Sequence, residues 1–283
     1  MSEYQYYEFV AIDRPLSTAE RQEVRALSTR ADITATTFTN TYEWGDFSGD
    51  PAEMMERYYD AHLHVTNWGT NRLMLRLPAR VLDEAAVRPY LVADRVEAWT
   101  AKEHLILDLC DEDENIEEDP EPEGWLASLI GVRAELAAGD RRPLYLAWLA
   151  AIGSWERDED AFDDDFEGEL EPPVPAGLDS LTAAQRALAD LLRLDDDLLA
   201  VAAANSPARA TPPTDPRRLA DRVADLPEAD RNALLVRVAQ GEGLAVQAEL
   251  TSRFTPEPGS GDAPRRSVGE LLDTAAKARQ RRG

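Results

Sequence analysis

The amino-acid sequence predicts an α+β fold: an N-terminal, mostly antiparallel sheet with helices, then α-helical hairpins, then a flexible helical C-terminal region. Three observations predict it. Aromatic and β-branched residues crowd into short runs within residues 1–110, the composition that strands prefer. Helix-start pairs, a Ser or Thr followed three positions later by Glu or Gln, stand at Ser17, Thr182 and Ser267. Acidic or proline-rich stretches at 111–124, 156–177 and 206–216 separate the patterned segments.

The first strand is EYQYYEFVAID (3–13). Tyr4, Tyr6, Val10 and Ile12 share one parity, and Tyr7, Phe9 and Ala11 share the other. Both faces are apolar, as in a central strand covered on two sides. Ser17 and Glu20 form a capping box that opens a helix. A strand over 33–44 follows. Asp50 is then the N-cap of a second helix, Pro51 takes its first position and Glu53 closes its box. Two strands flank NWGTN, a short helix lies near 83–91, and VEAWTAKEHLILDLC (96–110) turns back on itself near Lys102–Glu103. The sum is an open sandwich of about six strands and three helices.

Residues 111–124 are an acidic linker or loop. WLASLIGVRAELAAGDRRPLYLAWLAAIGSW (125–155) is an αα-hairpin turning at Gly139–Asp140. Its second helix is apolar nearly all round and is therefore buried. The helical region 125–205 packs on the first domain and carries the acidic loop 156–177. Its last helix spans 181–205, with Thr182 and Gln185 as cap pair. A linker at 206–216 leads to a helical hairpin over 217–254. A flexible linker at 255–266 leads to a basic-ended helix over 267–283, capped by Ser267 and Glu270.

The formal charge is −25, and residues 101–200 carry most of it, with 28 acidic against 7 basic side chains. Such a surface disfavours direct nucleic-acid binding and attraction to anionic membranes. Acidic proteins are usually just soluble; the sharper reading is a protein partner with a basic surface, or mimicry of nucleic acid. The single cysteine excludes an intramolecular disulfide. The N-terminus has no signal-peptide pattern, and the longest apolar run, 143–153, is too short to span a bilayer. These features predict a cytoplasmic protein.

The stretch HLHVTNWGTNRLMLRLP (62–78) is the most informative. Leu63 and Val65 belong on one face with Leu73, Leu75 and Leu77, because cross-strand partners point the same way. That pairing demands an odd loop, 67–69 or 67–71. A four-residue loop is excluded, since it sets His64 against Leu73. The opposite face then collects His62, His64, Thr66, Arg72, Met74 and Arg76. Its leading reading is a polar face whose arginines pair with carboxylates. Second is an anion or phosphate site built from His62, His64, Arg72 and Arg76. A metal site on the histidines ranks last, because two arginines repel a cation. At the tip, Trp68 either folds back on the sheet or anchors an interface.

No other cluster points to catalysis. His104 stands alone, and the carboxylates after Cys110 oppose its thiolate. DEDAFDDDFEGE (158–169) starts like a calcium loop but has Phe162 and Asp163 where a ligand and glycine belong. Asp195, Asp196 and Asp197 fit a helix N-terminus. P-loop, dinucleotide-binding, zinc-protease, CxxC and nucleophile-elbow motifs are absent. No catalytic residue, metal ligand or cofactor is therefore assigned. The C-terminal helix joins an apolar stripe, Val268, Leu271 and Leu272, to a basic end of Lys277, Arg279, Arg281 and Arg282. Its leading reading is structural, since cations are favourable at a helix C-terminus; the alternative is a docking element for a partner or for the chain's own acidic segments.

SEYQYYEFVAIDRPL, WGDFSGDP, NWGTNRLMLRLP and RAELAAGDRRPLYLAWL together resemble a family of uncharacterised bacterial cytoplasmic proteins over residues 1–205. The resemblance implies a bacterial cytoplasmic protein and brings no activity or site residue with it. The expected function is a non-enzymatic interaction or adaptor protein. The alternatives are an anion-binding protein or enzyme using the 62–76 face, and an inhibitor that mimics nucleic acid.

Overall fold

The computed structural model describes residues 4–113, 120–153, 168–208, 216–239 and 265–282, with Val246 and Leu250. Seven strands form one antiparallel sheet: β1 Gln5–Val10, β2 Asp32–Ile33, β3 Thr37–Tyr42, β4 Ala61–Thr66, β5 Thr70–Pro78, β6 Val96–Ala101 and β7 His104–Glu112. Their order across the sheet is β2-β3-β1-β4-β5-β7-β6. Helices α1 (Thr18–Leu27) and α2 (Pro51–Arg57) cover one face. Helices α4 (Trp125–Ala137), α5 (Arg142–Gly153), α6 (Ala183–Leu191) and α7 (Asp196–Ala204) cover the other. The short α3 (Glu84–Val87) precedes β6. The fold is therefore α+β, with helices concentrated later in the chain.

Two-sided burial explains the composition of the central strands. In β1, Tyr6 joins the core under α4 to α7, while Tyr7 and Phe9 join the core under α1 and α2. Leu63, Leu73, Leu75, Leu105 and Leu107 are fully buried on the α4–α7 side. Met74 and Ile106 are buried on the other, against the side where α2 places Met54 and Met55. α5 is covered all round, with every residue from Arg142 to Ile152 buried.

Local signals set the boundaries. The Ser17–Glu20 and Thr182–Gln185 capping boxes form as the spacing predicts. At Asp50 the outcome differs. Its side chain accepts from the Ala52 and Glu53 N–H groups, but the Glu53 carboxylate pairs one turn on with Arg57. The predicted strand over 33–44 is two strands, β2 and β3, paired with each other. The predicted helix over 181–205 is also two. Arg193 adopts a left-handed backbone (φ 49°), and Asp195 recaps the chain by accepting from the Leu198 N–H. Arg193 is held there by the Asp111 carboxylate and the Gly69 carbonyl, so tertiary contacts override a continuous helical pattern. Helices α8 (Pro216–Ala224) and α9 (Glu228–Ala239) likewise break at Pro227. Residues 158–167 of the calcium-like stretch and most of the second arm of the 217–254 hairpin lie outside the described residues.

The C-terminal helix α10 (Val268–Arg282) docks on α7. Val268, Leu271 and Ala275 are buried in the α4–α7 core, and Leu272 packs partly against it. Just before it, Arg266 pairs with Glu171 at 2.6 Å, and Glu171 also accepts the buried Tyr145 hydroxyl. Arg279 reaches Asp195 at the N-terminus of α7. No helix among the described residues is long and apolar enough to cross a membrane.

Burial and exposure predict different costs along α10. Leu271→Ala should lower unfolding stability by about 2–5 kcal/mol, the range for a fully buried leucine. Arg279→Ala should cost less than about 1 kcal/mol, because that pair is solvent-exposed. Urea midpoints of the two variants against the native chain check this.

Candidate functional site

The β4–β5 register sets Leu63 opposite Leu73 and His64 opposite Arg72. The loop is the shorter of the two odd ones, 67–69, and His62, His64, Arg72, Met74 and Arg76 share the face away from the leucine core. Gly69 fits the turn for a definite reason. It takes φ +97°, and a Cβ there would lie 1.9 Å from the Asp113 carbonyl oxygen.

That face is closed at one end. His62 is fully buried, with its ring stacked on Phe9 at 3.9 Å. Its Nδ1 lies 3.0 Å from the Glu8 carbonyl, which only accepts, so Nδ1 carries the proton. Nε2 is buried with no hydrogen-bond partner among the described residues. Burial, then the neighbouring His64, push the His62 pKa well below its usual value. His64 stacks on Tyr7 at 4.2 Å, and its Nε2 lies 3.3 Å from the side-chain amide oxygen of Gln5. Burial and the charge of Arg72 lower its pKa to about 4. Both imidazoles are neutral near pH 7.

Both arginines have carboxylate partners. Arg76 donates to Asp60 from Nε at 3.0 Å and from a terminal nitrogen at 2.7 Å, and also to the Met55 carbonyl at the end of α2. Asp60 is 1% exposed and accepts from the Ile12 and Asp13 N–H groups as well. Burial alone would raise its pKa, but these backbone bonds and Arg76 outweigh it and hold it low. Arg72 forms a two-pronged pair with Asp108 of β7. The four candidates thus share a face without meeting at one point. Asp60 and Asp108, the partners that occupy the arginines, carry no motif. The parity of HLILDLC alone places Asp108 on the Arg72 side.

The other end of this face is open. A cavity of about 250 Å³ lies among Arg72, Arg95, Glu97, Asp108, Cys110 and Glu112. Burial and then Glu112 push the Cys110 pKa up to about 12, so it is a thiol near pH 7. Arg95 pairs with Asp111 at 3.5 Å and donates to the Glu112 carbonyl. Among the described residues, no group of His, Cys, Asp or Glu is arranged to hold a metal ion.

The same end of the sheet carries two exposed tryptophans. Trp68, a sequence candidate, is 39% exposed, and Trp44 is 69% exposed. Tyr42 and Thr66 both pair with Gln5, so the rows that lead to the two indoles are two strand spacings apart, roughly 10 Å. Both loops are anchored. Around Trp44, Asp46 accepts from Gln5 at 2.6 Å, Phe47 is buried, and Ser48 donates to the Leu27 carbonyl. Around Trp68, Asn67 bonds Tyr4 in both directions, and the Gly69 carbonyl accepts from Asp113 and Arg193. Sequence reasoning missed Trp44. The signal was a second Trp-Gly step, with both glycines at positive φ (+80° and +97°).

The C-terminal candidates are distributed differently. Leu271 lies inside the chain's own core, Leu272 is partly covered by it, Arg279 pairs with Asp195 and Arg281 is exposed. The Arg282 side chain lies outside the described residues. No family model, curated protein or solved structure matches the chain.

Two outcomes test these electrostatics. Asp60→Ala should cost about 3–5 kcal/mol, because it strands the buried Arg76 charge, and adding Arg76→Met should recover part of that loss in urea denaturation. His64 takes a proton near pH 6.5 when unfolded and only near 4 when folded. Stability should therefore fall as pH drops through that window, by up to about 1.4 kcal/mol per pH unit. In His64→Phe this share of the slope should vanish; equal slopes in the two proteins would refute the assignment.

Proposed function

We propose that the protein is a non-enzymatic interaction or adaptor protein that works by engaging a protein partner. The observation that carries the reading is Trp44, an indole 69% exposed on a loop anchored at Asp46, Phe47 and Ser48. An exposed aromatic on a rigid support suits recognition, because little ordering entropy is lost on binding. Trp68 adds a second indole at the same sheet end. The polar groups of the 62–76 face favour this reading over an anion site. Arg72 and Arg76 hold carboxylates, and the histidines are neutral and covered.

The test compares two baits at native expression level, the native chain and Trp44→Ser/Trp68→Ser. Cross-linking and quantitative mass spectrometry should recover a defined protein with the native chain and at least tenfold less with the variant. Recovery of the bait alone from the native strain overturns the proposal. Equal recovery by both baits removes the tryptophans from it.

A further inference from the structure

We infer that the tryptophan-bearing end of the sheet docks an arginine- or lysine-rich segment of the partner, with the indoles packing on its cationic side chains. This rests on the interaction reading above and adds the chemistry of what is bound.

The protein leaves negative charge without salt bridges at this place. Three guanidiniums lie near this end, and each already has a carboxylate: Arg72 with Asp108, and Arg95 and Arg193 with Asp111. Exposed Glu43, Asp94 and Glu97 form no salt bridge among the described residues, and Glu112 lies in the field of Arg72 without a salt bridge to it. Glu43 adjoins Trp44, and Glu112 pairs with Thr70, two residues from Trp68. Asp94, Glu97 and Glu112 border the 250 Å³ cavity, whose interior cation, Arg72, is held by the nearly buried Asp108.

The sequence extends the same sign. β7 ends at Glu112, and residues 111–123 contain nine carboxylates and no basic side chain. Of these, Asp111, Glu112 and Asp113 stand at the sheet end that displays the two tryptophans. Neither indole has a hydrogen bond or ring contact among the described residues. An indole face attracts a guanidinium or ammonium through its quadrupole. Clustered carboxylates raise the local concentration of such a ligand and speed its encounter. A nucleic acid is repelled by the same charge, and a purely apolar partner gains nothing from it. A basic segment satisfies the indoles, the rim carboxylates and the polar cavity together.

The probe is a fluorescently labelled nine-residue arginine peptide, read by anisotropy against the full chain at two salt concentrations. A Gly-Ser peptide of the same length is the control. Binding should weaken as salt rises. Trp44→Ser/Trp68→Ser leaves the net charge unchanged and should weaken binding at least fivefold. Glu43→Gln/Glu112→Gln should also weaken it and flatten the salt dependence. Circular dichroism melts should match the native protein, since all four positions are exposed. Unchanged affinity in the tryptophan variant overturns the inference, because the peptide then follows net charge alone. Absence of arginine-peptide binding at low salt overturns it too. Tryptophan-dependent capture of a protein by a chain that ignores the peptide would spare the interaction reading and remove only the basic segment.

Discussion

The Asp60 carboxylate joins four parts of the chain at one buried point. It accepts from the backbone beyond β1 at Ile12 and Asp13, and from Arg76 of β5. Arg76 in turn holds the carbonyl of Met55 near the end of α2. Arg133 of α4 donates to the Arg76 carbonyl and to Asp13, so the helices on both faces are registered to the same strands. Magnitudes show why this point matters more than the surface pairs. An exposed pair such as Arg57–Glu53 contributes about 0.3–0.5 kcal/mol, whereas removing one member of a buried pair costs about 3–5 kcal/mol.

The same arrangement decides what the polar face can do. A face that collects two histidines and two arginines reads as a site only while its neighbours are unknown. Once α2 supplies Met54, Met55 and a terminal carbonyl, the His62–Arg76 end becomes a filled interior with its charge neutralised inside. The surface available to other molecules is displaced to the strand ends. There short anchored loops replace helices, and large side chains remain uncovered.

Much of the sheet was legible because strand periodicity is strict. A one-residue slip would turn Leu63 and Leu73 outward, so parity alone chose an odd β4–β5 loop. Capping boxes at Ser17, Thr182 and Ser267 were legible because the bonds are local. Features set by distant contacts were not. Nothing near Arg193 in the sequence announces that Asp111 and Gly69, far earlier in the chain, will hold it left-handed and split a helix. Asp60 has no local pattern either, since the hydrogen-bond partners of its carboxylate come from two distant segments, residues 12–13 and Arg76. The open end was half legible: Trp68 stood out beside its turn, while Trp44 needed the recurrence of Trp-Gly to be noticed.

The docking of α10 has a consequence for how the chain is made. Leu271 fills a place beside α7, yet about seventy positions separate it from that helix. On the ribosome, the sheet and α1 to α7 are synthesised first, and the apolar surface that Val268, Leu271 and Ala275 will cover must wait for them. At common elongation rates, roughly 5–20 residues per second, the delay is several seconds. During it the nascent protein presents an adhesive strip that the finished molecule lacks. The final helix therefore sets a vulnerable interval in biosynthesis, when chaperone access and crowding matter most.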